Sequence, residues 1–373
     1  MKIALVTRRF PPLIGGAEKV LSYLAPALAA EGAEVSVLTA RLSGLPQRET
    51  IPTAAGSLTV VRLPSAGLRF VGTWLYMRNL RRWLDRHPID LAYVSMLKHD
   101  AYVAVGSGLR RGFPVVLRPE GAGATGDLAW QSWGRFGRTI GRRCRQADAV
   151  VAISRAIRDE LVRNGYDQTT EIIDLPNGVP VPAEPWRRRD AWRSSPTALF
   201  VGRLASEKGL DTLIDAWPIV LETYPAARLI LVGDGPERPA LEARRDHLGL
   251  GSAIEFPGPS DDPNPLLRNS DLFILPSREE GMSIALLEAM ALGMPLVASS
   301  IPGNRRLVAD FRQGRLFPVS NARLLALTIL DQWADFDRAV HMAAAARGLV
   351  NQKYAIATVA RQHMDLFRRL VKP

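Results

Sequence analysis

Residues 272–298 of the chain read LFILPSREEGMSIALLEAMALGMPLVA. The apolar run 272–275 predicts a buried strand, and the run 284–292 predicts a helix that ends at Gly293. Residues 295–298 predict the next strand. A strand, a helix and a second strand in this order form a βαβ unit, so the stretch predicts a parallel α/β sheet.

The loop and helix of this unit contain candidate binding residues. The free N–H groups at the start of the helix, around Gly281, Met282 and Ser283, should point to the carboxyl edge of the sheet, where the helix dipole favours an anion. We expect them to hold a diphosphate without a metal. Glu288 could accept hydrogen bonds from two ribose hydroxyls, and Glu280 from sugar hydroxyls. Alternatively, Glu280 caps the helix and Glu288 is a solvated helix residue.

A second charged loop is expected at the same sheet edge. Residues 198–203 predict a strand, and the loop GRLASEKG at residues 202–209 follows its apolar part. Ligands of such sheets bind at the carboxyl ends of the strands, so Arg203 and Lys208 should both reach the diphosphate. Arg203 would bind two oxygens and Lys208 would act as a point charge, which together would neutralise a leaving group. Taken singly, either residue also fits an ordinary loop ion pair.

Strands and helices alternate along both halves of the 373-residue chain, which predicts two doubly wound parallel sheets. The first series includes a long basic helix that ends near Arg145, and the second starts at Ala198. The turn-rich stretch 176–196 between them predicts a linker. The predicted α/β chain consists of two Rossmann-like domains, residues 1–185 and 186–355, and a last helix in residues 356–373 that packs on the N-terminal domain.

The composition is typical of a soluble globular protein. The apolar fraction is 47%, and no apolar run reaches the roughly eighteen residues that a membrane helix needs. The apolar run before Arg8 is too short for a signal sequence, so we expect a cytoplasmic protein. The single cysteine, Cys144, cannot form an internal disulfide, and the five histidines show no metal-ligand spacing. We expect neither a metal nor a cofactor.

The net charge of +11 is concentrated in the first half of the chain. Residues 1–190 contain 27 Lys and Arg against 17 Asp and Glu, whereas residues 191–373 contain 21 against 20. A basic half predicts an anionic partner such as phospholipid headgroups, a pyrophosphate-linked acceptor or nucleic acid. We do not expect nucleic acid, because the sequence has neither a binding motif nor aromatic stacking platforms. A solvated, arginine-rich surface without a partner is the alternative.

Two segments of this half, residues 68–86 and 130–145, combine tryptophans with arginines. Such a combination on a helix can contact a membrane surface or a lipid pyrophosphate. Peripheral docking on the cytoplasmic face of an anionic membrane is therefore one hypothesis for these segments. The alternative is that their aromatic side chains belong to the core and their arginines form a solvated face.

The chain resembles the retaining glycosyltransferases of family four, which have the two-domain GT-B fold. The resemblance spans nearly the whole chain, and its most specific part is the pair Glu280 and Glu288 with Gly202-Arg203 and Lys208 upstream. The motifs that carry it, in family order, are Gly15-Gly16-Ala17-Glu18, Pro176-Asn177-Gly178-Val179, Gly202-Arg203-Leu204, Glu207-Lys208-Gly209, Gly233-Asp234-Gly235-Pro236, Glu280-Gly281-Met282-Ser283, Leu287-Glu288-Ala289-Met290 and Ser300-Ile301-Pro302-Gly303-Asn304-Arg305.

The resemblance implies transfer of a sugar from a nucleoside diphosphate donor to a hydroxyl acceptor, with the anomeric configuration kept and without a metal. In the family the donor binds the C-terminal domain, the acceptor binds the N-terminal domain, and the chemistry takes place in the cleft that the domains face. On that pattern Arg203 and Lys208 bind the diphosphate, Glu288 the ribose and Glu280 the sugar. Gly16 approaches from the other domain.

The chain departs from the family pattern at two places. Many relatives have a histidine that contacts the donor sugar just before a glycine, and here the segment is Arg118-Pro119-Glu120-Gly121. Glu120 is therefore a candidate catalytic substitute, or else it only caps the next loop. After Asn304-Arg305, where relatives usually have an acid, the chain has Arg306.

These observations lead to two hypotheses. The first is a glycosyltransferase that acts on a glycan or lipid-linked acceptor in cell-envelope or exopolysaccharide synthesis. The second is a nucleotide-sugar-binding protein without transferase activity, which the missing histidine motivates.

Overall fold

A computed structural model describes residues 1–12, 16–42, 44–53, 55–65, 69–123 and 126–371. The chain folds into two compact units. Unit 1 comprises Met1–Gly178 and Ile356–Pro373, and unit 2 comprises Val179–Ala355. The last helix thus belongs to the unit formed by the N-terminal half, and the chain enters unit 2 before residue 185.

Unit 2 begins at Val179, before the predicted boundary at residue 186, because the residues after Gly178 pack within unit 2. The N–H of Val179 donates to the carbonyl of Tyr354 at 2.9 Å. Trp186 is buried, and its indole N–H donates to the carbonyl of Ser270 at 2.8 Å. From Val179 onwards, the stretch predicted as a linker is therefore part of unit 2.

Unit 1 is built on an eight-stranded sheet, as far as the described residues show, in the order β3-β4-β2-β1-β5-β6-β7-β8. All neighbouring strands are parallel except β3, which pairs antiparallel with β4 at the edge. The sequence analysis missed this edge strand, whose five residues are all exposed. The strands are β1 Lys2–Val6, β2 Glu34–Ala40, β3 Arg48–Pro52, β4 Ser57–Leu63, β5 Leu91–Ser95, β6 Val115–Arg118, β7 Ala149–Ala152 and β8 Glu171–Asp174.

Helices pack against this sheet, and the last of them packs against the first. The side chains of Val359, Met364 and Phe367 are buried on the last helix, as its periodicity predicts. The helices of unit 1 are α1 Gly16–Ala30, α2 Arg69–Arg86, α3 His99–Arg111, α4 Asp127–Trp133, α5 Gly137–Cys144, α6 Arg155–Arg163 and α14 Ile356–Leu370.

The prediction of one long basic helix ending near Arg145 is wrong. Gly134 adopts an extended backbone after α4, and Phe136 adopts a left-handed conformation with φ of 64° before α5. A side chain at Gly134 would collide with the ring of Trp130, which packs over the break. The chain therefore turns between two short helices.

Unit 2 is built on a six-stranded, wholly parallel sheet within the described residues, in the order β11-β10-β9-β12-β13-β14. Its strands are β9 Thr197–Val201, β10 Arg228–Val232, β11 Ile254–Gly258, β12 Leu272–Leu275, β13 Leu296–Ser299 and β14 Arg315–Phe317. Its α-helices are α7 Leu210–Thr223, α8 Arg238–His247, α9 Asn264–Arg268, α10 Ile284–Leu292, α11 Pro302–Arg305, α12 Ala322–Ala334 and α13 Phe336–Lys353. Two 3₁₀ helices cover Asp190–Arg193 and Ser206–Lys208.

The order of strands in unit 2 reverses between β9 and β12. From β9 the chain continues outward through β10 and β11, and it then returns to β12 on the other side of β9 before it continues through β13 and β14. In open parallel sheets, ligands bind at the carboxyl ends of the two strands that flank such a reversal. The loops that follow β9 and β12 are the two charged loops that the sequence singles out.

Candidate active site

The segment that follows β12 has the predicted helical geometry. The four residues of β12 are buried, and α10 covers residues 284–292. The hydroxyl of Ser283 accepts a hydrogen bond from the N–H of Leu286 at 3.3 Å, and Gly293 ends the helix with φ of 80°. Ser283, and not Glu280, therefore caps the helix.

Glu280 and Lys208, predicted from separate loops, contact each other. The Nζ of Lys208 donates to Oε1 of Glu280 at 2.7 Å, and the hydroxyl of Ser277 donates to the same oxygen at 2.8 Å. The Glu280 side chain is only 9% exposed and that of Lys208 only 20%. A cation and an acid are thus held together, mostly shielded from solvent, at the carboxyl ends of β9 and β12.

Two glycines allow the loops of the site to approach each other closely. Gly209, directly after Lys208, has φ of 63°, and a side chain there would collide with the carbonyl of Pro276. Gly233, after β10, has φ of 139°, and a side chain there would collide with the carbonyl of Gly202. A substitution at either position is strained by both the backbone and the contact.

The other unit 2 residues predicted to bind the sugar donor lie close to Lys208 or Glu280 in the sequence. Arg203 directly follows Gly202 at the end of β9; its side chain is exposed and makes no ion pair or hydrogen bond with any residue that the structure describes. Gly281 is partly exposed, whereas Met282 is buried. Glu288 is half-buried on α10, just over one turn beyond Ser283. The first N–H groups of α10 have no partner within the helix, as at any helix start.

Glu120 lies in unit 1, where it is part of a buried polar network. The guanidinium of Arg118, only 2% exposed, donates to Oε1 of Glu120 at 2.5 Å and to Oδ1 of Asn177 at 2.6 Å. The hydroxyl of Ser95 also donates to Oε1 of Glu120. Asp127, and not Glu120, caps the loop that follows β6, because its Oδ2 accepts a hydrogen bond from the N–H of Glu120 at 2.7 Å. Burial raises the pKa of Asp127 to about 6, although this hydrogen bond opposes the shift.

This network around Arg118 and Asn177 was not predicted from the sequence. A buried arginine at the end of a strand needs acceptors, and the acid two residues later was the available signal. Gly16, the last predicted residue, begins α1, and its neighbour Gly15 lies outside the described residues. Gly16 and Glu120 thus belong to unit 1, while the other candidate residues belong to unit 2.

The aromatic segments of unit 1 divide between core and surface. Tyr76 and Ile140 are buried, as the core alternative requires. Trp74, Trp133 and Phe136 are 60%, 70% and 64% exposed. Contiguous exposed apolar patches mark interaction sites, whereas apolar side chains exposed singly are ordinary surface.

Arginines accompany these exposed rings. The guanidinium of Arg78 lies 5.4 Å from the ring centre of Trp74, and that of Arg135 lies 5.2 Å from the ring centre of Phe136. Both α2 and α5 pack against α3, and α4 packs against α5, so the two segments belong to one group of helices. We call Trp74, Arg78, Trp133, Arg135 and Phe136 the aromatic–basic surface.

Two properties of the described residues concern metals and membranes. They contain no group of three or more His, Cys, Asp or Glu side chains placed to hold a metal ion. Within the same residues, every helix is too short or too polar to cross a membrane.

Comparisons with known proteins agree with this geometry. A family model described as Glycosyltransferase Family 4 matches residues 14–181, and one described as Glycosyl transferases group 1 matches residues 195–335. A GDP-mannose-dependent alpha-(1-6)-phosphatidylinositol monomannoside mannosyltransferase of Mycobacterium tuberculosis is 26% identical over 98% of this chain and 98% of its own length. A glycogen synthase of the same organism is 27% identical over 96% of this chain and 92% of its own length.

Solved structures with a similar fold cover the whole chain as well. A sucrose-phosphate synthase from Thermosynechococcus elongatus superposes with a TM-score of 0.81 and 22% identity, over 99% of this chain and 98% of its own. The HepE protein of Anabaena in complex with UDP and glucose superposes with a TM-score of 0.77 and 21% identity, over 98% and 99% of the two chains.

Proposed function

The chain belongs to the glycosyltransferases of family four and has the GT-B fold, and on this premise we propose a retaining transfer of sugar. The donor is a nucleoside diphosphate sugar bound by unit 2, and the acceptor is a hydroxyl group of a glycan or lipid-linked molecule bound by unit 1. Family membership makes this an enzyme and not a binding protein without catalysis. The reaction uses neither a metal nor a cofactor, and it serves cell-envelope or exopolysaccharide synthesis.

The observation that carries this proposal is the contact between Lys208 and Glu280 at the reversal of strand order. Lys208 and Arg203 neutralise the diphosphate, and the N–H groups from Gly281 into the start of α10 bind its oxygens. Glu280 accepts hydrogen bonds from hydroxyls of the transferred sugar. Glu288 accepts hydrogen bonds from the ribose hydroxyls.

In this proposal, catalysis depends on stabilising the negative charge that develops on the departing diphosphate. The bond between the anomeric carbon and the diphosphate oxygen breaks, and the electron pair stays on the diphosphate. Lys208 and Arg203 stabilise this charge, and Lys208 does so with little reorganisation because its contact with Glu280 already holds it. The acceptor hydroxyl attacks the anomeric carbon from the face that the diphosphate leaves, and its proton passes to the departing diphosphate. Glu120 acts in place of the histidine of relatives.

The names of similar proteins indicate which donors to test. One relative is named as dependent on GDP-mannose, and one structural neighbour was solved with UDP and glucose. GDP-mannose and UDP-glucose are therefore the first donors to assay, each with short glycans and with lipid-linked acceptors.

The test of the donor site is Glu288→Gln. Loss of a charged acceptor should weaken the binding of UDP or GDP, measured by calorimetry, by roughly 10- to 150-fold, since a hydrogen bond to a charged group contributes about 1.5–3 kcal/mol. The matched control is Glu222→Gln, an exposed glutamate on helix α7 of the same unit. Wild-type affinity and transfer in Glu288→Gln would refute this assignment of the ribose site.

We further propose that the aromatic–basic surface docks peripherally on an anionic membrane. Its rings can enter the interface between headgroups and acyl chains, while its arginines bind the headgroups. Trp133→Ala together with Phe136→Ala should reduce flotation with phosphatidylglycerol vesicles at low salt. Leu327→Ala, an apolar side chain 46% exposed in unit 2, is the control and should float like the wild type. Equal flotation of both variants, or no flotation of the wild type, would refute the docking proposal.

A further inference from the structure

We infer that Arg278 is a positioning residue that holds Lys208 in place for the leaving diphosphate. This inference rests on the proposed function, because it concerns the same donor site. Arg278 lies in the loop after β12 and is not among the residues that the sequence analysis assigned to the site.

Arg278 forms hydrogen bonds with residues that precede and follow Lys208 in the sequence. Its Nη1 donates to the carbonyl of Ser206 at 2.6 Å, and its own backbone N–H donates to the carbonyl of Glu207 at 2.7 Å. Its Nη2 donates to both carboxylate oxygens of Asp211, at 2.8 and 2.6 Å. The loop after β12 is thereby fastened to the residues before and after Lys208.

The segment that carries Lys208 needs such a fastening. It is a 3₁₀ helix of three residues, Ser206–Lys208, and a single 3₁₀ turn has too few internal hydrogen bonds to be rigid alone. The turn is held by the bond from the N–H of Lys208 to the carbonyl of Ala205 at 2.9 Å and by the close approach of Gly209 to Pro276. Without the Arg278 side chain, the turn keeps the backbone bond from Arg278 to Glu207 but loses the bonds to Ser206 and Asp211, so the position of Lys208 should be less well defined.

Arg278 also connects the two halves of the candidate site. Its neighbour Ser277 donates to Glu280, and Glu280 accepts from Lys208. The loop of residues 277–280 therefore binds the cationic turn through Arg278 and presents the acid that Lys208 contacts. Displacement of one loop against the other would change the Lys208–Glu280 distance directly.

The exposure of the Arg278–Asp211 pair argues that its main role is positioning and not global stability. The two side chains are 35% and 43% exposed, and exposed ion pairs contribute little to the free energy of unfolding. Burial acts to raise the pKa of Asp211, but the hydrogen bonds from Arg278 and from the backbone of Thr212 outweigh it, so the pKa is below its ordinary value. The pair is thus formed and charged at neutral pH.

The same helix provides a matched control. Asp215, one turn after Asp211 on α7, forms a bidentate ion pair with Arg244, in which both N–O distances are 2.5 Å. The exposure of this pair, 46% and 34%, is similar. Arg244 forms no hydrogen bond or ion pair with residues 206–208 among the described residues, although its charge also attracts Asp211. Arg244→Ala therefore removes an equivalent ion pair without removing a hydrogen bond to the Lys208 turn.

The first experiment compares Arg278→Ala and Arg244→Ala in the full chain. We expect Arg278→Ala to lower kcat/KM for the donor by roughly 10- to 100-fold, since small misplacements of a catalytic group have costs of this order. Arg278→Lys keeps the charge but cannot form the bidentate pair with Asp211. Its kcat/KM should therefore lie between those of the wild type and Arg278→Ala. Arg244→Ala should stay within about twofold of the wild type, with a Tm similar to that of Arg278→Ala.

The decisive experiment is a double-mutant cycle with Lys208→Met, read as donor kcat/KM and as affinity for UDP or GDP. If Arg278 acts through Lys208, Arg278→Ala should cause less than about a threefold further loss in the Lys208→Met background. Independent, multiplicative losses would overturn the inference, as would wild-type activity in Arg278→Ala. Wild-type activity in Lys208→Met alone would instead refute the proposed donor site, so the two failures are distinguishable.

Discussion

Lys208→Met is the substitution that separates catalysis from stability at the donor site. The methionine keeps most of the aliphatic stem and removes the ammonium that lies 2.7 Å from Oε1 of Glu280. Glu280, only 9% exposed, then keeps the Ser277 hydroxyl as its hydrogen-bond donor among the described residues. An undersatisfied, shielded carboxylate should reduce the free energy of unfolding by about 1–3 kcal/mol. In a domain of this size, this corresponds to a decrease in Tm of roughly 2–12 °C.

The effect on transfer should be larger, because the ammonium also stabilises the charge of the departing diphosphate. Removal of one such preorganised group typically lowers kcat by about 10²–10³-fold. The double variant Lys208→Met/Glu280→Gln replaces the carboxylate by a neutral amide, so it should recover most of the lost stability and none of the activity. Release of UDP or GDP from the donor measures transfer, and denaturant unfolding measures stability. Turnover of Lys208→Met within about threefold of the wild type would show that the ammonium does not stabilise the departing diphosphate.

Three further predictions concern single features of the fold. Ser283→Ala removes the N-cap of α10 and should cost about 1 kcal/mol in denaturant unfolding; an unchanged midpoint would contradict the cap. Gly233→Ala places a methyl group against the carbonyl of Gly202 at φ of 139°, so we expect a lowered Tm and weakened binding of UDP or GDP; wild-type values would show that the loop relaxes freely. Burial lowers the pKa of His363 to about 4, so the unfolded chain takes up a proton between about pH 6.5 and pH 4 that the folded chain does not. This residue should therefore destabilise the fold as the pH falls through that window, by up to about 3 kcal/mol. His363→Gln should show a correspondingly smaller loss of stability between pH 7 and pH 4.5, and an identical loss would contradict the shift.

The strand and helix that begin the sequence analysis were predictable because their signals are local. The run 272–275 is apolar and bounded by a proline, and the helix 284–292 ends at Gly293, whose positive φ suits glycine. The proximity of Lys208 and Glu280 could also be predicted from the sequence, because parallel strands bring the loops at their carboxyl ends together.

Features that depend on distant partners could not be predicted in the same way. The break between α4 and α5 depends on how Trp130 packs over Gly134, and periodicity alone continues through it. Arg118 occupies a strand position that normally predicts an apolar residue, and its partner Asn177 is far away in the sequence. Arg278 looks like one more surface charge until its acceptors around Lys208 are known.

The configuration at the anomeric carbon of the product distinguishes retaining from inverting transfer. NMR spectroscopy can follow the reaction of α-linked UDP-glucose or GDP-mannose with a glycan or lipid-linked acceptor, for the wild type and for Lys208→Met. We expect the wild type to release the nucleoside diphosphate together with an α-linked product, and Lys208→Met to form this product about 10²–10³-fold more slowly. A β-linked product would show inversion, and an equal rate in the variant would show that Lys208 does not assist departure of the diphosphate.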